Sequence, residues 1–458
     1  MKPLSLKEIT DVLGIKDFVG DNVIITNVAN DIKNISENSV TFHLNKDVAI
    51  NVKAFNQYKH CYLVTDQPPL KAENIKRSHV IMVNNVGSAY REFIKYYRSL
   101  FKIPAIAVTG TCGKTSTKEM ISQILQKQYR VVSTFQSKNA LRHYHKYLMQ
   151  LDDTYQYAVF ETALTHPGHI IAGCEFVKPQ IGIITKIGID HLNHCRNLNL
   201  YTKTKGEMLT ALGDTGTLII NNDCENINKI DLSYFSGKII TFGIDNSSDY
   251  QAKNIKYYTR GMRFTLVCAA VEYRVHVPAF GRHNVYNALA ALAAIHQLGL
   301  SPEWAIETLK DYQPIPAHTE LLAGLNNSIL IDDTWSSNPT SLDAALEVLS
   351  KLGKNKRKIV VIGRISYLGK RTDFYYRKVA AALAASGVDY LFTKGKSAAK
   401  IGVYAAANGI SKEKIVFCNN NKELKEKIMS MLNDNTIVLF KVSMLDKSFK
   451  SVIQELQK

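Results

Sequence analysis

Six residues in one short segment have types and spacing suited to a single job: Gly110, Thr111, Gly113, Lys114, Thr115 and Ser116. They follow an apolar run, Ile103 to Val108, that reads as a buried strand, and Met120, Ile121, Ile124 and Leu125 then recur at helical spacing. Strand, tight glycine turn and helix start are the parts of a phosphate-binding loop. Its backbone N–H groups face an anion, Lys114 supplies a charge for the β- and γ-phosphates, and the Thr115 hydroxyl suits Mg²⁺. The general pattern places another glycine five residues before the second one. Val108 stands there, and the first glycine is Gly110. The segment predicts ATP binding.

An ATP enzyme needs further Mg²⁺ ligands, and that hard cation takes carboxylate and carbonyl-type oxygens. Glu161 closes the run Tyr157–Glu161, at the carboxyl end of an expected parallel strand, where ligands of α/β sheets collect. His191 lies just past a second such run, Ile181–Thr185, and its position alone leaves ligand and structural roles open. Lys203, Lys205 and Glu207 share a helical pattern with Tyr201, Met208, Leu209 and Leu212. By composition this is an amphipathic helix with a solvated charged face.

The elements that must position these residues alternate along the chain. Residues 1–100 hold short strand-like runs, Asn22–Val28 and Cys61–Asp66, and a helical pattern over Ser88–Tyr97. Residues 101–313 form a P-loop domain with a parallel sheet, an antiparallel insert over 238–280, and an apolar helix from Asn284 to Leu298. Residues 314–458 restart the βα rhythm, with strands expected at Ser328–Asp332, Lys358–Ile362, Tyr390–Phe392, Lys414–Phe417 and Thr436–Phe440. The expected fold is α/β in three domains: an N-terminal substrate-binding domain, a central ATP-binding domain and a C-terminal Rossmann-like domain.

Composition narrows the setting. The 458 residues are 46% hydrophobic, enough for sizeable cores, and contain no run long enough to span a membrane. The start carries no leader-like apolar core. Seven scattered cysteines without a C-x-x-C pair suit a reducing cytoplasm and argue against a disulfide frame or a zinc site. The formal charge of +17 is spread through the chain with no single basic block, which points to small anionic ligands rather than nucleic acid. A cytoplasmic monomer is expected.

Several motifs, in order, make the chain resemble the Mur ligases, ATP-dependent amide-bond formers of cell-wall synthesis. They are Thr109-Gly-Thr-Cys-Gly-Lys-Thr-Ser116, which is that family's short P-loop, Pro167-Gly168 after Glu161, and Thr185…Gly188…His191-Leu192. The others are Lys203-Thr-Lys-Gly-Glu207, Gly281-Arg-His-Asn-Val-Tyr-Asn-Ala288 and Asp332-Asp-Thr-Trp-Ser-Ser-Asn-Pro339. The likeness is strongest to the subgroup that adds D-alanyl-D-alanine to a nucleotide-linked muramoyl tripeptide. It implies that Lys114 and Thr115 hold the phosphates and one Mg²⁺, that Glu161 and His191 complete the metal sites, and that Lys205 is the family's carbamylated lysine. It further implies Asn284 and Asn287 near the adenine and Asp333, or in its place Asp332, on the ribose.

The substrate side departs from the subgroup's pattern. In the acceptor-side motif Thr134 and Asn139 survive, but Ser137, Ala140, His143 and His145 replace its other residues. Lys186 replaces an Asn, His318 replaces the phosphate-side Arg, Arg364 replaces an acidic residue, and only Lys441 and Ser443 remain of the last K-G-S-R. Asn338 is retained. Thr134, Asn139, Asn338, Arg364 and Lys441 are the expected substrate contacts. The expected activity is an amide ligation through an acyl phosphate, releasing ADP and phosphate. Its substrates are a carboxylate-bearing acid, nucleotide-linked or not, and an amino acid or dipeptide amine, shifted from the usual wall precursor. The alternatives are the subgroup's own reaction and a non-catalytic nucleotide-binding regulator. A GTPase fits less well, because Gly188 stands where the guanine-reading Asp belongs.

Overall fold

A computed structural model describes residues 1–16, 23–47, 55, 57–67 and 79–458. Asn22, the start of one expected strand-like run, lies outside the described residues. The chain divides into two compact units, one of Met1–Ala105, Gln128–Phe160 and Ala172–Lys178, the other of Ile106–Lys127, Glu161–Ile171 and Pro179–Lys458.

The first unit contains a parallel sheet in the order Asn27–Ala29, Ser39–Phe42, Cys61–Thr65, Val80–Met82. Cys61–Thr65 is buried along its whole length, as expected for a strand covered on both faces. The helix Val86–Ser99 is capped by the Asn85 side chain, which accepts from the Ser88 amide. It buries Phe93, Ile94 and Tyr97 against Phe42 and Tyr62. Arg98 on this helix is buried with no carboxylate partner among the described residues. Its guanidinium donates instead to the carbonyls of Phe101, Ile103 and Val177, so each of its three nitrogens has an acceptor. The same unit pairs Val131–Ser133 in parallel with Tyr157, Ala158 and Val159.

In the second unit Ile181–Ile184 lies between Ala105–Thr109 and Thr217–Asn221 and runs parallel to both, with Ile183 opposite Val108 and Ile219. The first of these strands starts at Ala105 rather than Ile103, since Pro104 has no N–H to give a ladder. The sheet continues through Lys238–Gly243, Tyr250–Tyr258, Gly261–Cys268 and Val271–Val277. One expectation needs correcting here. Lys238–Gly243 is parallel to Thr217–Asn221, and only the last three strands are antiparallel. Two-residue turns at Thr259-Arg260 and Ala269-Ala270 reverse the chain, whereas the long connection before Lys238 lets it return in the same direction. The helix Arg282–Gln297 is buried almost all round, from Asn287 to Ile295, as its composition requires.

A six-stranded sheet completes this unit, in the order Glu320–Ala323, Ile329–Asp333, Thr436–Lys441, Arg357–Ile362, Tyr390–Lys394, Ile415–Cys418. All pairs are parallel except the first. The five strands expected from sequence are present, and the antiparallel edge strand Glu320–Ala323 is additional. Leu330, Ile359, Val361, Phe392, Val438 and Phe440 form the core beneath one face. The fold is α/β with mainly parallel sheets, as the sequence predicts. Among the described residues no helix is long and apolar enough to cross a membrane.

Candidate active site

The strand Ala105–Thr109 ends in the glycine turn, and the helix Lys114–Gln126 starts at once. Gly110 and Gly113 both have positive φ, 149° and 86°. A Cβ on Gly110 would sit 2.1 Å from Thr185 Oγ1, and one on Gly113 2.4 Å from Asn287 Oδ1. Backbone conformation and close approach therefore both demand glycine. The turn is clamped by its neighbour: Thr111 N donates to Lys186 O at 2.6 Å, Thr185 Oγ1 to Cys112 O at 2.6 Å, and Gly188 N to Thr111 Oγ1 at 2.9 Å. Gly113 brings no side chain to cap the helix, which leaves its first N–H groups, through half-buried Ser116, for an anion.

Charge converges on this helix start. Thr115 Oγ1 donates to Glu161 Oε2 at 2.9 Å, and Lys114 Nζ lies 3.2 Å from Thr111 O and 4.0 Å from Glu161 Oε1. Glu161 is 1% exposed. Lys205 is equally buried, and its Nζ donates to Thr109 Oγ1 at 3.0 Å. Burial, and then the nearby Lys114 cation, hold its pKa well below the usual lysine range. The solvated charged face expected for this helix is thus overturned at Lys205. Tyr201, Lys205, Met208, Leu209 and Leu212 recur at helical spacing on one stripe, and that stripe faces inward. The spacing was the available signal. Lys203 is exposed, while Glu207 accepts from the amides of Gly168 and Ile170 at the start of helix His169–Val177.

His191 has a left-handed backbone, with φ at 52°. Its ring stacks on Tyr367 with centroids 5.4 Å apart, and its buried Nδ1 has no hydrogen-bond partner. Burial lowers its pKa, which favours the neutral ring with one nitrogen lone pair to offer. Next to it, the Asp190 carboxylate accepts from His191 N at 2.8 Å and from Asn338 Nδ2 at 3.2 Å. Asp190 and Tyr367 are site residues that the sequence reasoning missed, and Asp190 stood inside a quoted motif. Asn338 also caps the helix Pro339–Leu352, accepting from Ser341 N.

The remaining candidates fall around this centre. Asn287 Nδ2 donates to Asn284 Oδ1 at 3.0 Å, and Asn287 Oδ1 accepts from Thr117. Lys441, expected at a substrate, is fully buried and donates to Asp333 Oδ2 at 2.7 Å and Ser336 O at 2.6 Å. Asp332 accepts from Thr334. His318 stacks on Trp335 with centroids 5.4 Å apart, and burial lowers its pKa. It is a neutral ring where the resemblance expects a cation. Arg364 is exposed. Thr134 and Asn139 belong to the first unit, where Thr134 is buried and its amide donates to Val159 O.

No group of three or more His, Cys, Asp and Glu gathers as a metal site among the described residues. The donors fit Mg²⁺ all the same, since that ion takes few protein ligands and hard oxygens. The Thr115–Glu161 pair supplies such oxygens, and the Nδ1 of His191, without a hydrogen-bond partner among the described residues, is a further possible ligand atom. Lys205 as an amine does not suit this ion, whereas its carbamate would.

A nucleotide-phosphate loop, a buried carboxylate and a buried low-pKa lysine define an ATP-handling centre on an α/β scaffold. Two family models match the chain, the Mur ligase middle domain over residues 108–295 and the glutamate ligase domain of Mur ligases over 319–444. The chain is 30% identical to UDP-N-acetylmuramoyl-tripeptide–D-alanyl-D-alanine ligase of Buchnera aphidicola subsp. Acyrthosiphon pisum, over 79% of this chain and 80% of that protein. It is 27% identical to the enzyme of the same name from Bacillus subtilis, over 80% and 78%. A solved MurF structure from Acinetobacter baumannii shares the fold with a TM-score of 0.85 at 23% identity, covering 100% and 99% of the two chains. MurF ligase from Thermotoga maritima, solved in complex with ADP, gives 0.81 at 18% identity, covering 94% and 97%. The chain belongs to the Mur ligase family and is an ATP-dependent carbon–nitrogen ligase of that family.

Proposed function

We propose that this ligase joins the carboxylate of a nucleotide-linked muramoyl tripeptide to the amine of D-alanyl-D-alanine, in the cytoplasm, as part of peptidoglycan synthesis. The observation that carries the reading is the buried Lys205 amine on Thr109, set among Lys114, Thr115 and Glu161. The printed names of the relatives support the choice of acid and amine. In this reading residues 1–100 bind the acid, 101–313 bind ATP and 314–458 complete the ligation site.

The substrate carboxylate attacks the γ-phosphorus, the bond to ADP breaks, and an acyl phosphate forms. The amine nitrogen then adds to its carbonyl carbon, and the tetrahedral intermediate expels phosphate as the amide forms. Lys114 and the N–H groups of the loop offset charge on the transferred phosphoryl group. Thr115, Glu161, His191 and a carbamylated Lys205 would hold Mg²⁺, which supplies further charge neutralisation when bound. Only an unprotonated amine adds CO₂, and burial, by lowering the Lys205 pKa, favours that form. The product is a carbamate anion plus a released proton. In this reading Asn284, Asn287 and Asp333 contact the nucleoside.

A second reading, a shifted acid and amine, is favoured by Arg364, which brings a cation where the resemblance expects a carboxylate. Phosphate release with the muramoyl tripeptide and D-alanyl-D-alanine distinguishes the two. Lys205→Ala should lower kcat by about a hundredfold or more while ADP still binds. Turnover that survives this substitution would remove Lys205 from the mechanism, and a wild-type protein silent with every acid and amine would sink both readings.

A further inference from the structure

In the second unit the strands Tyr250–Tyr258, Gly261–Cys268 and Val271–Val277 form the antiparallel end of the large sheet. Alternation sends Met262, Phe264, Leu266, Val275 and Val277 to one face, where they are buried. Residues directly opposite across two strands share a face, so the register fixes what the other face carries. Arg263 stands opposite Lys256 on one side and His276 on the other. Two residues along, Thr265 stands opposite Lys253 and Arg274. Lys253, Lys256, Arg263 and Arg274 are all exposed, as is Arg260 in the turn after Tyr258. None of these cations has an ion pair or a side-chain hydrogen bond among the described residues. Glu272 is the one acidic residue of the three strands, and it lies a further row along, opposite Val267.

Like charges directly opposite each other weaken a sheet, so setting Lys256 against Arg263 costs the fold stability rather than adding to it. An external surface of anions offsets that cost. The ring of Tyr258 holds the Arg263 guanidinium 3.3 Å from its centroid and meets His276 edge-on at 6.1 Å. It positions a cation rather than standing free to stack a base. Tyr257, the neighbouring ring, shares the inward face with Met262 and stacks on Phe280. The cations span three strands, about 10 Å across, whereas a nucleic-acid major groove admits a ribbon of two. A broad face of exposed cations with one amphipathic ring at its margin suits a surface whose anions can rearrange beneath it. We infer that this face docks the protein peripherally on an anionic phospholipid bilayer, through Lys253, Lys256, Arg260, Arg263 and Arg274. None of these residues belongs to the candidate active site, so docking is independent of which acid and amine are joined.

The test is co-sedimentation of the full chain with vesicles at about 0.1 M NaCl. It compares phosphatidylcholine alone with phosphatidylcholine carrying about 30% phosphatidylglycerol. Wild type should bind the anionic vesicles at least about tenfold more tightly than the neutral ones. Lys256→Ala combined with Arg274→Ala should weaken that binding by about thirtyfold. Lys412→Ala combined with Lys414→Ala removes the same charge from a short exposed helix elsewhere, and should change binding by less than about twofold. An ADP affinity equal to wild type reports that each variant is folded. Should the first variant not fold, Lys253→Ala with Arg260→Ala reads the same face and should show the same loss. Vesicle binding indifferent to phosphatidylglycerol, equal losses in the patch and control variants, or no binding to either vesicle overturns the inference. So does retention by a single-stranded RNA probe without any binding to vesicles, which would give the face to nucleic acid instead.

Discussion

Lys205 and Lys441 are both buried amines, and their surroundings give them opposite chemistry. Lys441 meets the Asp333 carboxylate and the Ser336 carbonyl at 2.7 and 2.6 Å. Lys205 meets a neutral hydroxyl, with the Lys114 cation lowering its pKa further. A desolvated ammonium persists only where an anion offsets the loss of water. Lys441 is therefore a structural cation that holds Asp333, the expected ribose ligand, in place between two strands. Asp333→Asn should strand it and lower stability by about 3–5 kcal/mol, read as a shift of the urea midpoint. A variant as stable as wild type would show that the pair holds nothing.

The phosphate loop is an element whose shape depends on two glycines. Gly113→Ala places a methyl at φ 86° and 2.4 Å from the Asn287 amide oxygen, so the loop must shift. Gly395 has nearly the same φ, 85°, with nothing within 4 Å of its would-be Cβ, and so serves as a control. Both variants should lose about 1–2 kcal/mol for the left-handed backbone. Only Gly113→Ala should weaken ADP binding, by about tenfold or more in a titration. Equal nucleotide affinity in both would mean that the loop tolerates the methyl. A second element, the helix Leu141–Leu148 of the first unit, carries His145 with its pKa pushed down to about 4 by burial and then by Lys146. The folded pKa lies below the unfolded value near 6.5, so the unfolded chain binds more protons between those two pH values. The contribution of His145 is complete above pH 6.5 and is lost as pH falls toward 4, on the order of 3 kcal/mol at most. Denaturation midpoints at pH 7 and 5 should differ less in His145→Gln than in wild type. An unchanged difference would assign the acid sensitivity to other groups.

At the scale of the molecule, a formal charge of +17 creates a field that attracts nucleotides and acidic substrates. Association should therefore weaken with salt. Raising NaCl from about 0.05 to 0.5 M shortens the screening length from roughly 14 to 4 Å and should slow binding of a fluorescent ADP analogue by about tenfold. A rate indifferent to salt in stopped flow would limit the field to solubility. The parallel sheets serve the same end on a shorter range. Thr109, Glu161, Thr185 and Asp333 all stand at or just past the carboxyl ends of parallel strands, where open α/β sheets gather ligands.

The sequence by itself determined what is contiguous. The phosphate loop, its strand and its helix fall within two dozen residues, and turn chemistry with periodicity specifies them without reference to the rest of the chain. The same holds for the βα alternation, and hence for the fold class. Tertiary structure decided which distant residues meet and which face of an element is dry. Lys441 reaches Asp333 across 108 residues, and Asp190 reaches Asn338 across 148. Helical spacing placed Lys205 on a stripe with Tyr201 and Leu209, but only the packed helix shows that the stripe is buried and the amine pKa pressed down. The direction of Lys238–Gly243 was hidden for a related reason, because a strand's own residues do not record whether its neighbour runs with it or against it. Burial and pairing are sums over neighbours that the chain brings together only on folding, and local pattern constrains them weakly.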